Sequence, residues 1–247
     1  MLLIEDLVVE IDNKLVLKGV NLKIGEGETH ILMGPNGSGK TTLLRAIMGL
    51  GRFKIVRGKI FFDGQEIQDL PPDERAKLGL GIAFQRAPVI RGVTLRQIGK
   101  YIANGEHNLE NISRQLKCDE LLDRDLNYGF SGGEMKRAEL FQLLLQAPRL
   151  ALIDEPESGV DLDNIAIIGE AINLLLGKKK VVEKKRAGLI ITHTGHILDY
   201  LNADKGHVMI DGKIVCEGNP RDLFDQIKEH GYEGCLECVK CRGLYEN

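Results

Sequence analysis

Apolar positions change their spacing repeatedly along this chain, and each change marks an element. Residues 2–24 read as two strands, with Asp12-Asn13-Lys14 as the turn between them. Thr29–Met33 is a short apolar strand that runs into a Gly-rich loop, and an apolar-periodic helix follows over Thr41–Leu50. Lys59–Phe62 reads as a strand ending in the turn Asp63-Gly64. Pro71-Pro72-Asp73 opens a short helix, with prolines near its start and acids after them. Leu80–Phe84 is an apolar strand. From Val93 to Cys118 the pattern is helical but loose, and Gly132–Gln146 is a strong helix. Leu150–Ile153 is a buried strand, Asp161–Leu176 a long helix and Leu189–Thr192 another strand. Met209–Asp211 and Ile214–Cys216 frame a hairpin with Gly212-Lys213 at its turn, and Pro220–Glu229 is the last helix. Strands alternating with helices predict an α/β fold with a mostly parallel central sheet. The first strands are expected to be antiparallel and to pack beside it. No internal repeat is visible.

Composition narrows the class. The 247 residues are 43% hydrophobic, enough for a full core. The 29 glycines suggest tight turns and backbone-to-ligand contacts. A net charge of −3 gives no whole-chain case for nucleic acid binding. The basic run Lys178–Arg186 reads as a solvated helix end, where cations are favourable. No apolar run approaches the roughly 18–20 residues of a membrane helix. MLLIEDLVVEI has early acids and no basic leader, so it does not read as a secretory signal. Five cysteines, three of them in the last thirteen residues, do not make a secreted disulfide framework. The expectation is a soluble, reduced, cytoplasmic protein.

One stretch carries strong chemistry. Gly34-Pro-Asn-Gly-Ser-Gly-Lys-Thr41 fits G-x-x-x-x-G-K-[ST] between a strand and a helix, which is the context that motif requires. Backbone N–H groups of Asn36, Gly37, Ser38 and Gly39 would converge on phosphate oxygens. The amides of Lys40, Thr41 and Thr42 at the helix start would add positive potential. Lys40 would place its charge on the β/γ-phosphates, and the Thr41 hydroxyl would reach Mg²⁺. The strand Leu150–Ile153 ends in Asp154-Glu155. Asp154 is placed to hold Mg²⁺, and Glu155, aimed elsewhere by strand alternation, to accept a proton from the attacking water. Seen alone, two acids after a strand also suit a helix cap. Gln85 and His193 follow two further strands. Polar groups at those ends face the edge where open parallel sheets bind ligands.

A second glycine-rich stretch, Phe130-Ser-Gly-Gly-Glu-Met-Lys-Arg137, opens the strong helix with no phosphate of its own. Ser131 reads as an N-cap and Glu134 as its capping-box partner, and a good cap is also an anion site. The order GPNGSGKT, Gln85, SGGE, LALIDEP, SGVD, His193 resembles the ATP-binding cassette (ABC) ATPases over nearly the whole chain. The resemblance implies ATP with Mg²⁺ and a nucleotide-dependent head-to-tail homodimer. There Ser131, Gly132 and Gly133 bind the γ-phosphate held by the other copy. It implies Glu155 as general base, His193 on the γ-phosphate and Gln85 on Mg²⁺ or water. It puts Asp161 at the dimer interface. Family members stack adenine on an aromatic near the second strand turn. This chain has Ile11 and Val16 there, which implies weaker base stacking.

Within that family, GETHILMGPNGSGKTTL, LPPDERAKLGLGIAFQRAPVIRGV, FSGGEMKRAELFQ, DEPESGVDLD and THTGHILDYLNADKGHVMIDGKIV resemble the SufC-type ATPases of the SUF iron–sulfur cluster assembly system. That resemblance implies soluble scaffold partners of the SufB/SufD type, with no direct membrane insertion. The default alternative for the family is the nucleotide-binding subunit of a membrane transporter. The implied organisation is an ATPase domain over residues 1–230 with a helical subdomain inserted at about 86–147, then a Cys-rich tail over 231–247. In the tail, Cys235, Cys238 and Cys241 have C-x₂-C-x₂-C spacing, which opens the run used by iron–sulfur ferredoxins. Zn²⁺ or a cluster there, with Cys216, His230, Cys118 or a partner as fourth ligand, stands beside incidental cysteines and redox disulfide chemistry.

Overall fold

The computed structural model describes residues 1–103, 109–177 and 186–237. Strands β1 (Leu2–Ile11) and β2 (Lys14–Ile24) form an antiparallel hairpin. Asp12 and Asn13 at its turn have φ of 48° and 60°, the two left-handed centres of a turn whose twist matches the strands. β4 (Lys54–Phe62) and β5 (Gln65–Glu66) complete an antiparallel sheet in the order β2-β1-β4-β5. β4 starts five residues earlier than its sequence suggests. Its first half is aligned along β1, with Lys54 opposite Glu10, and that pairing is not local.

The central sheet contains β3 (Thr29–Met33), β6 (Leu80–Ala83), β9 (Leu150–Asp154), β10 (Ala187–Ile191), β11 (Lys205–Ile210) and β12 (Lys213–Gly218). Its order is β12-β11-β3-β10-β9-β6, and only the β11–β12 pair is antiparallel. Consecutive residues split between two cores, as strand alternation demands. Leu32, Leu152 and Ile191 face the β1–β2–β4 layer and α1 (Lys40–Met48). Ile31, Ile153 and Ile190 face α5 (Gly132–Gln146) and α6 (Leu162–Leu175). Both faces are covered, which explains why every residue of β3, β9 and β10 is buried and why Ile31–Met33, Leu150–Ile153 and Leu189–Ile191 are continuous apolar runs.

Between β6 and α5 lie β7 (Ile90–Thr94), α3 (Leu95–Ala103), α4 (Leu109–Gln115) and β8 (Asp125–Leu126). The loose helical pattern from Val93 therefore begins as a strand, because β7 pairs with the distant β8. The last hairpin turns at Asp211-Gly212, one residue earlier than the sequence suggests, with φ of 47° and 79°. α7 (Pro220–Glu237) runs past Glu229 and breaks at Gly231.

α2 (Pro72–Leu78) contributes an unusual support to α1. Arg75 is 1% exposed and donates to Ala46 O and Ile47 O at the end of α1, at 2.7 and 2.8 Å. It also donates to Leu70 O and Gln68 O. The cation sits where the helix dipole is negative and supplies donors to carbonyls of the last turn. Among the described residues, no helix is long and apolar enough to cross a membrane.

Candidate active site

The loop after β3 ends in a helix with no side-chain cap. Gly39 is the N-cap of α1, with φ of 107°. A side chain at Gly39 would be strained at that φ, and a Cβ would stand 2.9 Å from Leu17 Cδ2. The first helical hydrogen bond runs from Leu43 N to Gly39 O. The amides of Lys40, Thr41 and Thr42 therefore have no acceptor within the helix. Asn36 and Gly37 form the exposed tip of the loop. Ser38 is buried, and its hydroxyl has no hydrogen-bond partner. Lys40 is buried too, donating to Gly34 O at 2.8 Å and Pro35 O at 2.9 Å. Burial brings its pKa down to about 8, while Glu155 and Asp154 oppose the drop.

Three neighbouring strands of the central sheet, β6, β9 and β10, bring the other groups to this loop. Asp154, the last residue of β9, is 3% exposed. The Thr41 side chain hydrogen-bonds to it, and burial pushes its pKa up in spite of that bond. Its Oδ1 has no partner. An unpartnered buried carboxylate oxygen on a residue that also meets the Thr41 hydroxyl is a donor set that suits a hard cation, so these residues fit Mg²⁺.

Glu155 departs from the alternation argument. It lies beyond the strand in the left-handed region, with φ of 48°, and its N–H donates to Ile191 O at 3.1 Å. That local turn aims the carboxylate. Gln85, beyond β6, donates from Nε2 to Glu155 Oε2 at 2.6 Å. His193, beyond β10, pairs through Nε2 with Glu155 Oε1. The structure thus brings Lys40, Thr41, Asp154, Glu155, Gln85 and His193 to one edge of the sheet.

The second glycine-rich loop opens α5 across a cleft from Gln85. Ser131 is exposed and caps α5, accepting from Glu134 N, while Glu134 accepts from Ser131 N at 2.7 Å. A Cβ at Gly132 would stand 2.3 Å from Gly159 O, and one at Gly133 3.1 Å from Asn164 Cγ. Gly132 is needed for the close approach of the Gly159 carbonyl, and Gly133 leaves room for the Asn164 side chain. Asp161 is exposed and caps α6 by accepting from Asn164 N, a bond that lowers its pKa. Gly132 shares a cleft with Gln85, Lys136 and Ser158.

Three buried charged residues escaped the sequence reading. Lys136 donates to Phe84 O and Gln85 O, each at 3.0 Å, and so fixes the backbone that carries Gln85. Glu139 accepts from Phe84 N at 2.5 Å, and burial pushes it up to about 7. Glu157 accepts from the hydroxyls of Thr192 and Thr194. A signal existed for the first two. They fall at helical spacing on the same stripe as the buried Leu140 and Leu143.

Cys235 is 2% exposed within the larger core, and Cys238 and Cys241 lie outside the described residues. Burial raises the Cys118 thiol to about 12, far from a ligating thiolate. His230 sits beside Glu229 at 3.7 Å. Among the described residues, no group of three His, Cys, Asp or Glu could hold a metal.

Comparison with known proteins agrees with this geometry. The family described as ABC transporter matches residues 17–158. A probable ABC transporter ATP-binding protein of Streptococcus pyogenes serotype M3 is 40% identical, over 95% of this chain and 94% of its own. A probable ATP-dependent transporter, ycf16, of Cyanidium caldarium is 41% identical, over 88% and 89%. The nucleotide-free ATP-binding cassette of an ABC transporter superposes with a TM-score of 0.75 at 26% identity, covering 100% of this chain and 99% of that one.

Proposed function

The chain belongs to the ABC transporter family of ATP-binding proteins, and from that premise we propose that it hydrolyses ATP to drive iron–sulfur cluster assembly of the SUF type. It is an ABC ATPase, and members of this family use ATP with Mg²⁺. The observation that carries the reaction is the grip on Glu155, whose two carboxylate oxygens meet Gln85 and His193 beside the phosphate loop.

In this reading the loop amides and Lys40 hold the triphosphate, and Lys40 leaves its own carbonyls for phosphate oxygens. Thr41, Asp154 and Gln85 would hold Mg²⁺, and the cation would supply charge neutralisation to the triphosphate. Glu155 takes the proton of the attacking water, which needs one of its oxygens released by Gln85 or His193. His193 then donates to the γ-phosphate. Positioning and charge neutralisation do most of the work. Ser131, Gly132 and Gly133 offer a capped helix N-terminus to the γ-phosphate of a second copy, with Asp161 at the interface of that head-to-tail homodimer. The boundaries at about 86–147 for the helical subdomain and at 230 for the ATPase domain belong to the same reading.

The SUF assignment is supported by the sequence stretches that resemble SufC-type ATPases. Its partners would be soluble SufB/SufD-type scaffolds in the cytoplasm. The names of the relatives favour a second reading, in which the partner is a transporter's membrane subunit. Anaerobic affinity capture of the tagged protein from its native cell, followed by mass spectrometry and iron and sulfide analysis, separates the two. Soluble scaffolds carrying iron and sulfide are the expected result. A polytopic membrane protein would overturn the SUF assignment and leave the ATP chemistry intact.

A further inference from the structure

We propose that Glu157 is a positioning residue for His193, acting through the two threonines on either side of it. The loop after β10 reads Ile191-Thr192-His193-Thr194-Gly195, and it lies along Glu155-Pro156-Glu157. Glu155 N donates to Ile191 O at 3.1 Å, and Glu155 Oε1 pairs with His193. Two residues on, Glu157 Oε1 accepts the hydroxyls of both Thr192 and Thr194, the second at 3.2 Å. His193 is thus pinned from both flanks by one carboxylate oxygen, while its ring meets another carboxylate. The Thr192 hydroxyl also accepts from Gly195 N at 3.0 Å. Its single hydrogen is therefore committed to Glu157, and the hydroxyl cannot rotate away without leaving a buried group unpaired.

The local chemistry argues for a held geometry. Glu157 is 5% exposed and Thr192 is fully buried. Glu157 Oε2 has no hydrogen-bond partner, so a buried carboxylate is kept here at a cost in stability. Burial raises its pKa, with the Thr192 hydroxyl the main opposing influence. A residue needed only to fill the core would be cheaper as an apolar side chain. On its other side, Glu157 O accepts from Val160 N at 3.2 Å, within the segment whose Gly159 O presses on Gly132. Glu157 therefore stands between the His193 loop and the loop that opens α5.

The inference rests on the proposed role of His193, and the experiment separates the two. Glu157→Ala is expected to lower kcat for ATP roughly 10- to 100-fold, the cost of misplacing a reacting group by about 1 Å. KM should change little. Glu157→Gln keeps an oxygen for both hydroxyls and should recover most of the lost turnover. In a His193→Ala background, adding Glu157→Ala should leave the single-turnover rate unchanged. An equal loss in both backgrounds would overturn the inference. If Glu157→Ala fails to fold, Thr194→Val, at an exposed position, should give a smaller loss that Thr194→Ser restores. The ¹⁵N resonances of the His193 ring give a readout independent of catalysis. They should shift in Glu157→Ala and Thr194→Val but not in Glu157→Gln. Unshifted resonances would overturn the inference. Shifted resonances with full turnover in His193→Ala would instead remove His193 from the reaction and leave its positioning by Glu157 standing.

Discussion

Glu217 anchors a buried relay whose pH behaviour can be worked out from geometry. Glu28 Oε2 meets His30 Nε2 at 3.0 Å, and His30 Nδ1 meets His207 Nε2 at 2.9 Å. His207 Nδ1 then meets Glu217 Oε1 at 3.1 Å, and Lys205 pairs with Glu217 Oε2. Asp204 is the further acid beside this group, near Glu28. Burial, and His207 beside it, lower the pKa of His30 in spite of its bond to Glu28. The His207 hydrogen bond, and Lys205 after it, hold Glu217 at about 2 against an ordinary 4.5. That drop is worth roughly 3 kcal/mol at 1.36 kcal/mol per pH unit. The carboxylate is 28% exposed, so screening reduces it to on the order of 2 kcal/mol. A depressed carboxylate stabilises the fold above its unfolded pKa, and the gain is lost as pH falls through its folded one. Glu217→Gln should therefore be less stable than wild type by about 2 kcal/mol at pH 7, in urea unfolding. The gap should narrow as pH falls below about 4.5 and close toward about 2. A gap that stays constant down to about pH 3, or no gap at pH 7, would refute the ion-pair argument.

Three further outcomes follow from the same structure. Glu155→Gln should bind ATP with little change in affinity while turnover falls roughly 10²- to 10⁴-fold, measured by filter binding and phosphate release. Retained turnover would remove Glu155 as the base. Arg75→Met should cost roughly 3–5 kcal/mol in chemical denaturation, because four backbone carbonyls lose a buried cation. A loss under about 1 kcal/mol would mean that water replaces it. Gly39→Ala forces a Cβ against Leu17 at φ of 107° and should abolish nucleotide binding by calorimetry while the protein stays folded.

Much of the fold is legible in the sequence because its strongest elements are locally specified. α5 matches its sequence pattern from Gly132 to Gln146, since its start is set by a Ser131–Glu134 capping box written in four residues. β3 matches from Thr29 to Met33, since Ile31-Leu32-Met33 is an apolar run bounded by a Gly-rich loop, which suits a short strand covered on both faces. β4 and β7 depart from their local patterns for one reason. Their extra residues are strand only because β1 and β8 lie alongside, and no local pattern records a distant neighbour. The apolar pattern of α7 stops at Glu229, although Gly231 interrupts the helix only two residues later.

The site divides along the same line, and Glu155 shows where. Its presence at the end of β9 is readable from the run LALIDE, and so is its neighbourhood with Gln85 and His193, since all three follow strands that end at one sheet edge. Its direction is not. Alternation predicts that consecutive strand residues point to opposite faces, but that rule stops where the strand stops. Glu155 is one residue past that point, in a left-handed conformation that costs a non-glycine residue energy. What holds it there is Ile191 O, far ahead in sequence, together with the Gln85 amide and the His193 ring. Lys136 and Glu157 work in the same way. Each is a charged residue buried where the sequence around it reads as helix or loop, and each is held by groups from another strand end. A motif therefore states which chemical groups a site contains. The angles at which they meet are set by strand pairing across the sheet, and only the folded structure contains that information.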